Sequence, residues 1–284
     1  MKLICSILCL IFLSVFYGDN AIAGELNQRL ENFPEWEKLT QVQPAVGDLI
    51  YPEWMKGEWL VKSTLVDLVA PLAPDIVTPG FESNRQYLDV PVSFKVRFIN
   101  RSNTKNLNPS YRTPLSLIRR GEGGEVNYNS QENPVIADRA YNGLNLARAI
   151  LGKNAVRAVK VDPDSPNRQI TFLQSRCAQE VICDRQLISI VKNRATENTA
   201  DGKFIATEVF KQLFKGGSRP YINTVESTTA YRKISTLSKS NPAIEANQVT
   251  AVYLSSQDPN YFKAVNKPVA LYRYRLEFFP IIGE

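Results

Sequence analysis

The run Val269 to Phe279 constrains this chain more than any other stretch. Ala270, Tyr272, Tyr274, Leu276 and Phe278 alternate with Arg273, Arg275 and Glu277. An extended backbone turns successive side chains to opposite faces, so this spacing predicts a strand with an apolar, aromatic face and a charged one. Val92, Phe94, Val96 and Phe98 alternate with Ser93, Lys95 and Arg97 in the same way. Leu60 to Val69, Ala155 to Val161, Gln169 to Ser175, Gln186 to Val191 and Lys203 to Phe214 also read as strands. So do Tyr221 to Ser227, Tyr231 to Leu237 and Gln248 to Ser255, with turn residues between them. Asp138 is a good N-cap for one helix carrying Tyr141, Leu144, Ala147 and Leu151 on a face, with Gly152 at its end. Roughly nine or ten hairpin-spaced strands and a single short helix predict a mainly β, antiparallel barrel or sandwich, of which the barrel is the expected form. A parallel α/β sheet is disfavoured because helices do not separate the strands. At 44% hydrophobic and 22% charged residues the chain can fill a core, which excludes disorder.

The N-terminus reads as an address. Lys2 precedes an apolar run from Leu3 to Tyr17, and Ala21-Ile22-Ala23 has the small-x-small pattern read by signal peptidase. An apolar run of about 15 residues falls short of the roughly 20 that span a bilayer. The expected organisation is a signal peptide over 1–23, an N-terminal arm over 24–52 and a single barrel domain over 53–284. A loop extension rich in Asn, Ser, Gly and Pro interrupts the barrel at about 100–134. Once the signal is removed no transmembrane segment is expected, and Cys177 and Cys183 are the remaining cysteines. In an exported chain this spacing predicts a disulfide clipping a hairpin tip.

The chain contains no histidine. That excludes Ser-His-Asp and Cys-His relays, imidazole zinc sites and histidine-ligated haem. Gly121 to Gly124 and Gly216-Gly217 are not followed by the Lys-Ser/Thr of a phosphate-binding loop and read as turns. Glu53, Glu58 and Asp67 are the carboxylates placed for acid–base work, but nothing in the sequence pairs them with a second reacting group. The net charge of +6 permits contact with anionic headgroups or acidic proteins. No nucleic-acid recognition motif is present, and no metal or cofactor is expected.

Gly57-Glu58-Trp59, opening the first long strand, resembles the G-x-W signature of lipocalins and related calycin barrels. That resemblance implies Trp59 packed at the closed end of a barrel, with a basic residue of the last strand, Arg273 or Arg275, stacked across its indole. Tyr51-Pro52-x-Trp54-x-x-Gly57-x-Trp59, Ser63-Thr64-Leu65, Pro79-Gly80-Phe81 and Pro91-Val92-x-Phe94 with Arg97-Phe98 are also similar to an exported family of unknown function from cyanobacteria and plastids. This second resemblance implies a periplasmic or thylakoid-lumen location and supplies no catalytic residue.

The expected function is that of a non-enzymatic exported barrel. It would bind a small apolar ligand, facing Tyr272, Tyr274, Phe278, Phe94 and Phe98, or act as an accessory factor. Two alternatives stand beside it. One is a protein-interaction module with a solid core that docks a membrane-associated complex; the other is a carboxylate- or Tyr-based isomerase or hydrolase in the same barrel.

Overall fold

The computed structural model describes residues 24–103, 133–176, 182–217, 219–235 and 241–281. The signal-peptide expectation for 1–23, most of the loop extension and Cys177 lie outside the described residues. Twelve strands form one antiparallel sheet. They are β1 (Gln43–Pro44), β2 (Ile50–Tyr51), β3 (Gly57–Val69), β4 (Pro91–Asn100), β5 (Val135–Ala137) and β6 (Val156–Asp162). After these come β7 (Ser165–Arg176), β8 (Ile182–Asn198), β9 (Phe204–Lys215), β10 (Tyr221–Lys233), β11 (Ile244–Leu254) and β12 (Ala270–Pro280). Among the described residues, four α-helical segments accompany them: α1 (Glu25–Glu31), α2 (Phe81–Asn84), α3 (Arg139–Leu151) and α4 (Tyr261–Ala264).

The strand order is β2-β5-β4-β3-β12-β11-β10-β9-β8-β7-β6, with β1 paired to β8 off this path. From β6 to β12 each strand pairs with the next in sequence, a meander of hairpins. The distant pairing is β12 on β3, with Leu271 opposite Val69 and Pro280 opposite Trp59. The sheet curls into a half-barrel, and α3 packs on β4 near one edge and on β6 and β7 at the other. The helix therefore bridges the two edges. Its start follows the expected chemistry, since the Asp138 side chain accepts the Tyr141 N–H at 3.1 Å. Asn142 ties it to β4 by behaving like a strand neighbour: its amide accepts the Arg97 N–H at 2.7 Å and donates to the Arg97 carbonyl at 3.1 Å.

The concave side holds the main core, in which Trp59, Val61, Val96, Phe98, Phe204, Ile244, Leu276 and Phe278 are buried together. The convex side is also covered. Leu26 and Leu30 of α1, with Trp36, pack on Ile205, Ala230, Val249, Ala251, Tyr253 and Leu271. Strands β9 to β12 are thus apolar on both faces where the arm crosses them, which weakens the simple alternation expected of a one-sided sheet.

One strand assignment changes. Tyr221 to Ser227 and Tyr231 to Leu237 are not two strands; β10 runs unbroken from Tyr221 to Lys233. The connecting Thr228-Thr229-Ala230 contains no turn residue, and it pairs continuously with β9 and β11. The Thr207 and Thr228 hydroxyls satisfy each other at 2.8 Å in a fully buried position.

The expected disulfide involves Cys177, which lies outside the described residues; Cys183 sits on β8 opposite Ser175 of β7. Protein purified from an oxidising compartment is expected to resist alkylation at both thiols until reductant is added, and reduction to cost about 2–3 kcal/mol for so short a loop. Two thiols alkylated without reductant would exclude the bridge.

Candidate functional site

A cavity of about 260 Å³ lies beneath α3 on the concave side of the sheet. Leu49, Phe94, Val96 and Leu146 give it apolar walls, and Asp48, Arg139, Asn142, Gln169 and Glu208 give it a polar pole. Gly143 lets the helix approach this closely. A Cβ there would stand 2.7 Å from the Gln169 amide nitrogen, inside any real contact distance, so a larger residue would displace Gln169 or lift α3.

The polar pole is built from three strands and the helix. Glu208 continues the inward row of β9 after Phe204 and Ala206, and it receives two guanidinium groups. Arg139, the first residue of α3, donates to its two oxygens at 3.2 and 3.3 Å. Arg194 of β8 reaches the same carboxylate at 3.2 Å and also donates to the Gly47 carbonyl at 3.0 Å and to Asn167. The Nε of Arg194 is buried without a hydrogen-bond partner.

A β-bulge makes this convergence possible. The β8–β9 register slips between Val191 and Asn193, so Val191 faces Phe210 while Arg194 faces Glu208. Residues directly opposite in an antiparallel pair share a face. Without the slip Arg194 would point to the convex side.

Electrostatics keep the pole charged. Burial acts to depress the Arg139 guanidinium pKa, but the charge and hydrogen bonds of Glu208 outweigh it and leave the group above its ordinary value. Arg194 is shifted down, chiefly by burial, with Glu208 opposing. Tyr51, at the wall of the cavity, has its phenol pushed well above the usual range by burial and by Tyr231. The phenol is therefore protonated at neutral pH and is not a base there. Asp48, also in the lining, acts on both arginines as well, so the pole sets two cations against two carboxylates.

A family model for a domain of unknown function, DUF6816, matches residues 43–282, from β1 past the end of β12 with the cavity and α3 inside it. The chain belongs to the DUF6816 family. No curated protein and no solved structure matches it.

Within the DUF6816 domain, the aromatic residues expected to face a ligand are dispersed. Only Phe94 lines the cavity. Phe98 packs edge-on against Tyr51, with ring centres 4.8 Å apart, and Phe278 packs against Trp59 at 6.5 Å and Tyr231 at 6.0 Å. Tyr272 lies against Phe81, its hydroxyl accepting from Asn84 at 3.1 Å. Tyr274 packs between two clusters, and burial pushes its phenol up to about 12.

Trp59 is buried on the concave side, with its indole N–H donating to the Met55 carbonyl at 2.8 Å. Gly57 holds φ at 131°, a backbone that opens the strand next to the indole. The expected stack of Arg273 or Arg275 across Trp59 is not formed. Leu276 and Phe278 carry the inward row of β12 towards Trp59, so the arginines point the other way. Arg273 lies 5.6 Å from the ring centre of Phe33 in the arm, and Arg275 is exposed.

Of the carboxylates singled out, Glu58 accepts the Tyr141 hydroxyl at 2.6 Å and Glu53 pairs with Lys56 at 3.3 Å. Neither reaches the cavity. Arg139, Arg194, Gln169 and Glu208 escaped sequence reasoning. The one available signal was Glu208 itself, a carboxylate continuing the apolar row of a strand.

Proposed function

We propose that the protein is a non-enzymatic, exported half-barrel that holds one small amphiphilic ligand in the cavity beneath α3, in the periplasm or thylakoid lumen. The observation that carries this reading is the meeting of apolar walls with a polar pole in which Arg139 and Arg194 face the carboxylates Glu208 and Asp48. Such a site suits a small molecule with an apolar body and a polar end that Arg139 can meet. A volume of about 260 Å³ favours a small molecule over a long acyl chain. The non-enzymatic part is supported by the chemistry of the pole, where Glu208 is engaged by two arginines, Asp48 is paired with Arg101 at 3.5 Å and the Tyr51 phenol is held above its ordinary pKa. None of the three is a free base.

Titration with anilinonaphthalene sulfonate, an apolar ring system carrying one anion, is expected to saturate at a single site. Ala137→Phe, which places a ring into the cavity, should abolish binding while the fold is retained by circular dichroism. Arg139→Gln should weaken binding about tenfold through loss of a charged hydrogen bond, leaving Arg194 to hold Glu208. Non-saturable binding, or binding indifferent to Ala137→Phe, overturns the reading.

The interaction-module alternative keeps one specific observation in its favour. The concave side next to the cavity is filled by packed rings, with Tyr51, Phe98, Phe204, Tyr231 and Phe278 in successive contact. Failure of the titration leaves this solid-core reading, with a membrane-associated complex as partner.

A further inference from the structure

We propose that the α4 loop is a membrane-docking tip that seats the protein on an anionic phospholipid bilayer. The loop lies on the convex side at the end of β11, away from the cavity beneath α3. It presents Phe262 at 86% exposure and Val265 at 70%, three residues apart on a segment otherwise anchored by buried Ala264. Apolar groups this exposed lose nothing by entering a bilayer interface, and Phe262 gains most from leaving water. Val265 holds φ at 47°, and Asn266 follows at 59°. That left-handed backbone is unfavourable for a β-branched residue, and it leaves the apolar side chain in water.

Cations surround the two apolar groups. Lys263 sits between them in sequence and is exposed. Beside the loop is a second cavity, of about 290 Å³, into which Lys38, Lys211 and Lys267 converge from the arm, β9 and the loop, with Ser255 and Thr224 adding hydroxyls. No Asp or Glu is among the described residues lining it, and none of these lysines forms an ion pair among the described residues. The nearest acid of the loop, Asp258, accepts the Asn260 N–H at 2.8 Å and caps its own turn.

The combination fits a phospholipid surface of negative charge. A headgroup phosphate occupies the lysine cavity, its oxygens taking the ammonium and hydroxyl donors, while Phe262 and Val265 enter the boundary between headgroups and acyl chains. A neutral bilayer satisfies only the apolar half of this surface.

Co-sedimentation of the full chain with vesicles tests it. Binding is expected to vesicles of phosphatidylcholine with about one-third phosphatidylglycerol, to fall with added salt, and to be weak on phosphatidylcholine alone. Lys211→Gln with Lys267→Gln should weaken binding about 30-fold, at roughly fivefold per lysine. Phe262→Ala should weaken it about tenfold. Both variants alter exposed side chains, so their thermal unfolding should match the parent. Phe262→Trp should show a blue-shifted emission on anionic vesicles, which reports insertion rather than mere attraction. Equal binding to both vesicle types, or anionic binding unaffected by both sets of substitutions, overturns the proposal. Saturable binding of inorganic phosphate without vesicle binding also overturns it, leaving a soluble anion site. Ala137→Phe should leave vesicle binding unchanged, which keeps this test separate from that of the interior cavity.

Discussion

Arg29→Ala is expected to destabilise the protein by about 3–5 kcal/mol, because it leaves a buried carboxylate without its cation. Glu226 sits on the convex face of β10 with no exposed side-chain surface, and Arg29 of α1 meets it at 2.5 and 2.9 Å. The same guanidinium donates to the Tyr253 hydroxyl at 3.1 Å and lies 4.1 Å from the Trp36 ring centre. After the substitution, among the described residues, only Thr40 remains on Glu226, through its N–H at 3.1 Å and hydroxyl at 2.7 Å. Two neutral donors do not offset the desolvation of a full charge. Chemical denaturation should therefore show a large fall in midpoint, and limited proteolysis should cut the arm first. The double variant Arg29→Met with Glu226→Leu should lose much less, since an apolar pair needs no partner. A loss below about 1 kcal/mol for Arg29→Ala would show that the ion pair does not fasten the arm.

Trp59→Ala is expected to cost about 3–5 kcal/mol, of the same order but through packing. The indole fills the concave core against Phe278 and closes a hydrogen bond to the Met55 carbonyl. Removing it opens a cavity between β3 and β12, where collapse is resisted by strands already in register. Trp59→Phe should recover most of the loss, because it refills much of the volume and gives up only the N–H. A loss below 1 kcal/mol for the alanine variant would mean that the core does not depend on this ring.

Much of the fold was legible because strands and helix caps are written locally. Asp138 caps α3 and Gly152 follows its end, as their side-chain chemistry requires. The alternation in β12 correctly separates inward Tyr272, Tyr274, Leu276 and Phe278 from outward Arg273 and Arg275. The candidate site was much less legible. Phe94 reached it through that same alternation. Arg139 sits at the first turn of a helix, where sequence suggests only a solvated face, and Gln169 is an ordinary polar residue of a hairpin. Their significance depends on α3 lying across the gap between β4 and β6, which no local pattern states.

The sequence by itself determined the antiparallel, mainly β architecture and the position of α3, because each follows from periodicity or capping within a few residues; the burial of Trp59 was what the G-x-W resemblance implied. Tertiary structure alone decided three things. It placed the arm over the convex face, so Glu226 is buried and paired rather than solvated. It pointed Arg273 to Phe33 instead of Trp59, since opposite faces of one strand cannot share a partner. And it turned Arg194 inward through the bulge at β8, where one extra residue reverses the face of every side chain that follows. An alternating pattern carries no mark of where such a slip occurs. Only the pairing with β9 fixes it, and with it the charge of the cavity.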